Sequence, residues 1–354
     1  MFRRVLSKLV FGLCSLVVIT AVPAGAEVND AALMSARPAK LLSEYGLFSD
    51  AVHQAPAEGV VPYDLITPLF TDYAHKYRFV YVPKGQKAVY NDAEAFEFPV
   101  GTTLIKTFAY PADFREPSKS VRIIETRLLI HQEKGWNAWA YVWDEEKQDG
   151  VLKVAGKTLP VAWTDKAGAS RQTNYVVPNK NQCKGCHTFN KEFTPIGPKA
   201  RNLNKTYPYE GGAANQLAYW SEAGILTGAP AHEDAPKVPA MDDESADLNA
   251  RARAYLDINC AHCHRLEGPA STSGLFLTWA EDNKTAWGYK KRPVAAGRGS
   301  GGFDYDIMPG KPEQSILIHR LKSTDPGVMM PEVGRTTVHE EGINLLKEWI
   351  NSIE

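Results

Sequence analysis

Four of the five cysteines in this 354-residue chain fall into two copies of one short pattern, Cys183-Lys184-Gly185-Cys186-His187 and Cys260-Ala261-His262-Cys263-His264. Cys-x-x-Cys-His is a spacing with a specific chemical use. Two thiols on one short turn add across the vinyl groups of a haem, and the adjacent imidazole offers a ring nitrogen to the iron. Cys183, Cys186, Cys260 and Cys263 are therefore candidate thioether positions for two covalently bound haem c groups. His187 and His264 are the candidate proximal iron ligands. Two other uses of paired cysteines fit less well. A four-cysteine zinc site normally has roughly 15–20 residues between its pairs; here the interval is several times longer, and zinc leaves the two histidines unexplained. A thioredoxin-type redox pair follows a strand in a βαβ unit, and no such pattern precedes either motif.

The sixth iron ligand decides what each haem does. Downstream of the second motif stand Met308, Met329 and Met330. Met330-Pro331 lies just before the last helical pattern and Met330 is the expected distal ligand of the second haem; the adjacent Met329 stays open, and Met308-Pro309 lies one helix too early. The ordinary role of such methionines is to fill core gaps, and His319 reads as a packed or surface residue. The first motif has no comparable partner. Lys199, His53, His75, His131, Met241 and His232 all remain open, as does a vacant position.

The elements that must position these groups change character along the chain. Residues 1–26 read as a secretory signal peptide: Arg3, Arg4 and Lys8, an apolar run containing Cys14, then Ala24-Gly25-Ala26 as a small-x-small cleavage site. Residues 27–175 read as a β-rich domain, a sandwich or partly open barrel. Arg78–Val82, Thr102–Tyr110, Val121–His131 and Trp136–Trp143 are strand candidates. Trp136, Trp139, Trp143 and Trp163 are candidates to line a cleft or to fill the core. Residues 176–243 form a Pro-rich first haem segment, and residues 244–354 a mainly helical second haem domain. The expected fold is thus α+β, with a β-rich half followed by mainly α-helical haem domains. Helices are predicted over Gln216–Leu226, Ser245–Asn259, Pro312–Lys322 and after Thr337, which with Glu340 has capping-box spacing.

The formal net charge of −1 gives no support for nucleic-acid binding, and no second apolar run of spanning length follows the first. Six basic residues (Lys180, Lys184, Lys191, Lys199, Arg201, Lys205) surround the first motif. They are candidates for a patch that steers an acidic redox partner.

The second haem region resembles class I cytochromes c: a helix leads into the haem motif, then come a Met-Pro loop and a closing helix. The chain from residue 27 onward also resembles a family of bacterial periplasmic di-haem c-type cytochromes. The residues that carry this likeness are Thr67-Pro68-Leu69-Phe70-Thr71-Asp72-Tyr73, Glu125-Thr126-Arg127-Leu128-Leu129-Ile130, Asn259 to His264, and Asp325 to Pro331. The resemblance implies a periplasmic location and His187 and His264 as proximal ligands. The resemblance brings no function with it; two covalently held haems make one-electron transfer between redox partner proteins the leading expectation, rather than enzymatic turnover. A di-haem enzyme of peroxidase type, with an open first haem, is the alternative.

Overall fold

The computed structural model describes residues 27–294 and 296–354; the expected signal peptide lies outside them. Its centre is one antiparallel sheet of six strands in sequence order. These are β1 (Val60–Tyr63), β2 (His75–Tyr81), β3 (Thr103–Pro111), β4 (Val121–Gln132), β5 (Gly135–Asp144) and β6 (Asp149–Leu152). Val, Ile, Tyr and Phe at alternate positions give each strand two faces. The register Arg78↔Lys106, Lys106↔Arg127 and Arg127↔Ala140 fixes which side chains share one face.

On the back face, Phe79, Ile105, Leu128, Ile130 and Tyr141 pack against Leu33, Leu42, Tyr45 and Leu47 of the N-terminal segment. The front face is covered at its two ends and open in the middle. At one end Val80, Val82 and Leu104 meet Leu203, Leu217 and Trp220. These last three come from residues 176–243, through a single helical turn and α2 (Gln216–Glu222). At the other end Phe108, Tyr110 and Val142 meet Val161, Trp163 and Tyr175 of a separate hairpin, β7 (Lys157–Thr164) with β8 (Ser170–Val177). Trp163 is therefore core.

Three further helices complete the C-terminal part: α3 (Leu248–Asn259), α4 (Ile316–Lys322) and α5 (Glu340–Ser352). Tyr255, Leu256, Ile318, Leu346, Trp349 and Ile350 form its core.

The expectation of mainly α-helical haem domains is overturned. Helix of all kinds makes up only 21% of the structure, and only α3 and α5 exceed seven residues. Residues 176–243, expected to hold the first haem, contain short hairpins instead, Thr188–Phe189 with Glu192–Phe193 and Thr206–Tyr209 with Gly212–Asn215. Nor is the β half a barrel or a sandwich of two matched sheets; it is one open sheet with a hairpin on part of one face. The physical reason lies in how the loops are held. Pro195, Pro198 and Pro208 interrupt any helical run. Buried polar side chains then take over the backbone hydrogen bonds that helices would have made. Asn204 donates to the carbonyls of His232 and Ala235, Gln216 to those of Asp64 and Leu203, and Arg253 to those of Thr278 and Glu281.

The predicted capping box also fails. Helix α5 begins at Glu340, with His339 as its cap residue. Thr336 and Thr337 each donate a backbone N–H and a hydroxyl to the buried carboxylate of Asp72, at 2.7–3.0 Å. That carboxylate ties the sheet half to the last helix.

Candidate functional site

The first motif is built on α1 (Lys180–Cys186). Asn179 caps it: its side chain accepts from the N–H groups of Asn181 and Gln182, and Gln182 Oε1 accepts in return from the Asn179 N–H at 2.9 Å. The cap starts the helix one turn before Cys183, so Cys183 and Cys186 share one face. His187 follows at the helix end, and its N–H donates to the Cys183 carbonyl. The second motif follows α3, which is capped by Asp247 accepting from Ala250 N–H at 2.8 Å. The turn is closed by His264 N–H donating to Cys260 O.

Both imidazoles are held in the same manner. His187 Nδ1 lies 3.0 Å from the Thr194 carbonyl, and His264 Nδ1 lies 3.3 Å from Ser273 Oγ. Neither Nε2 has a hydrogen-bond partner among the described residues. Burial pulls both rings down to about 4, so both are neutral at pH 7. A neutral imidazole whose Nδ1 is engaged presents its Nε2 lone pair outward, the state a metal-ligating histidine needs. None of the four motif cysteines is in a disulfide, and the contact with Cys263 and His262 pulls Cys186 well below the ordinary thiol value. Burial pushes Cys183 up and Cys260 up to about 12, so each keeps its proton. The donor set therefore fits a covalently held haem at each motif.

The two motifs touch. Cys186 of the first lies beside His262 and Cys263 of the second, with their ligand atoms within 4.8 Å of one another. Cys263 Sγ also sits 3.5 Å from the Gly185 carbonyl. Behind this contact a buried ion pair joins the supporting segments: Arg201 to Asp257 of α3, two bonds at 2.9 Å each.

The first motif faces the open centre of the sheet. A cavity of about 200 Å³ separates Cys183, Cys186 and His187 from Leu104, Lys106, Arg127, Leu129, Ala138 and Ala140 of the sheet. Ile196–Lys199, Ile258, Pro331 and Val333–Arg335 also line it. A second cavity of about 410 Å³ shares Cys186, Ile196, Lys199 and His262 with it. Together they fall in the roughly 300–1,000 Å³ range of cofactor and ligand sites.

Sequence-derived ligand candidates separate clearly. His131 lines the second cavity, stacked on Trp136 at 4.7 Å with its Nδ1 2.9 Å from Phe98 O. Lys199 lines both cavities, but its ammonium is committed to Glu94 at 3.0 Å. Burial pushes the Glu94 carboxyl up, yet Arg265 and Lys199 outweigh this and hold it below the usual range. His53 is exposed and bonded to Asp50, and His75 and His232 lie at the surface on their own neighbours. Met241 packs into the C-terminal core and His319 against Phe303. Met330 is half-buried in a loop clamped by Arg335, which donates to the carbonyls of Met330, Ser323 and Thr337. Met329 is buried and Met308 half-buried. Trp136 and Trp139 line the two cavities.

The basic patch expected around the first motif does not form as such. Lys199, Arg201 and Lys205 turn inward to Glu94, Asp257 and Asp64, and Lys180 lies over Trp139. What sequence reading missed is cationic and on the sheet: Arg78, Lys106 and Arg127. Each lies in phase with an apolar residue two positions away on the same strand (Val80, Leu104 and Leu129), which is the signal that marks them.

No protein-family model, no curated protein and no solved structure matches the chain.

Proposed function

We propose that this chain is a periplasmic di-haem c-type cytochrome that passes single electrons between redox partner proteins. The observation that carries this reading is the contact between the two Cys-x-x-Cys-His turns, each with a neutral histidine whose Nε2 is free. Cys183, Cys186 and His187 would hold one haem, and Cys260, Cys263 and His264 the other. When bound, each supplies an iron that takes up and gives back one electron. The chain's own contribution is to fix both attachment points on rigid turns and keep the imidazoles neutral. Through Arg201 and Asp257 it holds the two turns together, so that an electron arriving at one group has the other beside it. Met330 is the proposed distal ligand at the second group.

A second reading has a specific observation behind it. The wall facing His187 offers no methionine, and its only other histidine is His262. That favours an open first iron and a di-haem enzyme of peroxidase type. Electron paramagnetic resonance of the oxidised protein separates the two. Two low-spin ferric signals support the carrier; one low-spin and one high-spin signal, with peroxide consumed at the expense of a reduced donor, support the enzyme.

A further inference from the structure

The middle of the sheet's front face carries more positive charge than its neighbours neutralise. Arg78 and Lys106 are cross-strand partners, as are Lys106 and Arg127, and all three line the central cavity. Arg127 is satisfied: it donates to Glu125 at 3.0 Å, and Glu125 also accepts from Tyr175 at 2.6 Å. Arg78 is only half satisfied. Its Nη1 donates to Asp64 at 3.0 Å and to the Lys76 carbonyl, while Nη2 is buried with no partner among the described residues. The residue is 5% exposed. Lys106 has no hydrogen bond or ion pair among the described residues; its ammonium lies 4.9 Å from the Phe108 ring centre. Burial, and then Arg78, Lys76 and Arg127, pull Lys106 well below the ordinary lysine value. Burial and Arg78 bring Lys76 down to about 7. A buried guanidinium edge without an acceptor is costly to leave bare. Arg78 and Lys106, side by side on one apolar wall, can both hold their charge without a large cost only where an anion joins them.

The geometry points to an anion site on the sheet, formed by Arg78 Nη2 and Lys106 Nζ, that takes a carboxylate or similar oxyanion inside the cavity facing His187. Two sources supply that chemistry: the propionate side chains of a haem attached at Cys183 and Cys186, or a free small anion entering the cavity. The first source rests on the function proposed above; the site itself does not.

The test uses the mature protein and its Lys106→Gln and Arg78→Lys variants, with intact mass recorded first to count attached haems. If propionate is the occupant, redox titration of Lys106→Gln shows one potential lowered and the other unmoved. Loss of a nearby cation favours the more positive oxidised iron at that haem alone. If the occupant is a free anion, added phosphate or acetate raises the thermal midpoint of the native protein above a chloride control of equal ionic strength. That rise is then lost in Lys106→Gln. Arg78→Lys keeps the charge, so it shows a smaller change of the same kind. Unchanged potentials together with no anion-dependent midpoint overturn the site. So does loss of a low-spin signal in Lys106→Gln, which would make Lys106 an iron ligand. A mass without haem defeats the proposed function, while the anion titration still decides the site.

Discussion

What would fit His187 and His264 to bind iron is what holds the other side of the ring. A Thr194 carbonyl and a Ser273 hydroxyl engage Nδ1 and leave Nε2 free, while burial keeps both rings neutral. Met330 is positioned by a different device: Arg335 gathers the carbonyls of its loop, so the residue is set by backbone rather than by core packing. Met330→Ala should therefore lower the potential of one haem and leave the fold intact, read by redox titration beside a thermal melt. A potential unchanged at both haems would remove Met330 as a ligand. The two motifs were legible because two thiols and a histidine at fixed spacing have few uses. Thr194 and Ser273 were not, because a residue that orients a ligand is chosen by distance in the fold, and neither carries a spacing signal. Lys106 was half legible: a lysine in phase with Leu104 and Phe108 breaks the strand's alternation, but alternation does not say what it faces.

At the scale of elements, the strands and longer helices follow the sequence pattern closely. The alternation over Trp136–Trp143 becomes β5, and the apolar spacing over Ser245–Asn259 becomes α3 from Leu248 onward. The failures are local and share a cause. Thr337 bonds Asp72 from another part of the chain instead of capping its own helix, and Lys199, Arg201 and Lys205 pair with Glu94, Asp257 and Asp64 from distant segments. Long-range polar partners override short-range rules, and a single sequence does not display them. The Arg201–Asp257 pair is the element-scale joint of the site, both residues being almost fully buried. Arg201→Met leaves a buried carboxylate unpaired and should cost about 3–5 kcal/mol. It should also separate the two motifs. Urea unfolding gives the first quantity, and a change in the redox interaction between the two haems gives the second. A loss below about 1 kcal/mol would mean that the pair does not join the segments.

For the whole molecule, the sheet half and the C-terminal half are clasped by Asp72 and by an aromatic seam. His339 lies parallel to Phe70 at 4.2 Å, and its Nδ1 lies 3.0 Å from the Tyr255 hydroxyl. Burial lowers His339 from an ordinary 6.5 to about 4. A histidine kept neutral by the fold contributes stability that is full above pH 6.5 and is lost as pH falls from 6.5 towards 4, because the unfolded chain takes up the proton first. With the side chain 15% exposed, the contribution is about 3 kcal/mol at most. His339→Phe keeps the stacking and should flatten the fall in stability between pH 6.5 and 4, measured by chemical unfolding at several pH values. An equally steep fall in the variant would assign the acid sensitivity to other groups. The expectation of mainly helical domains after the β-rich half missed because it treated residues 176–243 and 244–354 as helical units in their own right. In the folded chain the first segment is a covering layer for the sheet, and the sheet in turn forms the far wall of the first motif's cavity.

The central claim is that Cys183, Cys186, Cys260 and Cys263 each carry a covalent bond to one of two haems. Intact mass spectrometry under denaturing conditions tests it most directly, on protein exported by a host that assembles c-type haem. The account predicts the mass of the chain plus two haems, falling by one haem when Cys260 and Cys263 are both replaced by serine. A mass equal to the bare chain, with any metal at Cys186, His262 and Cys263 lost on denaturation, would contradict it.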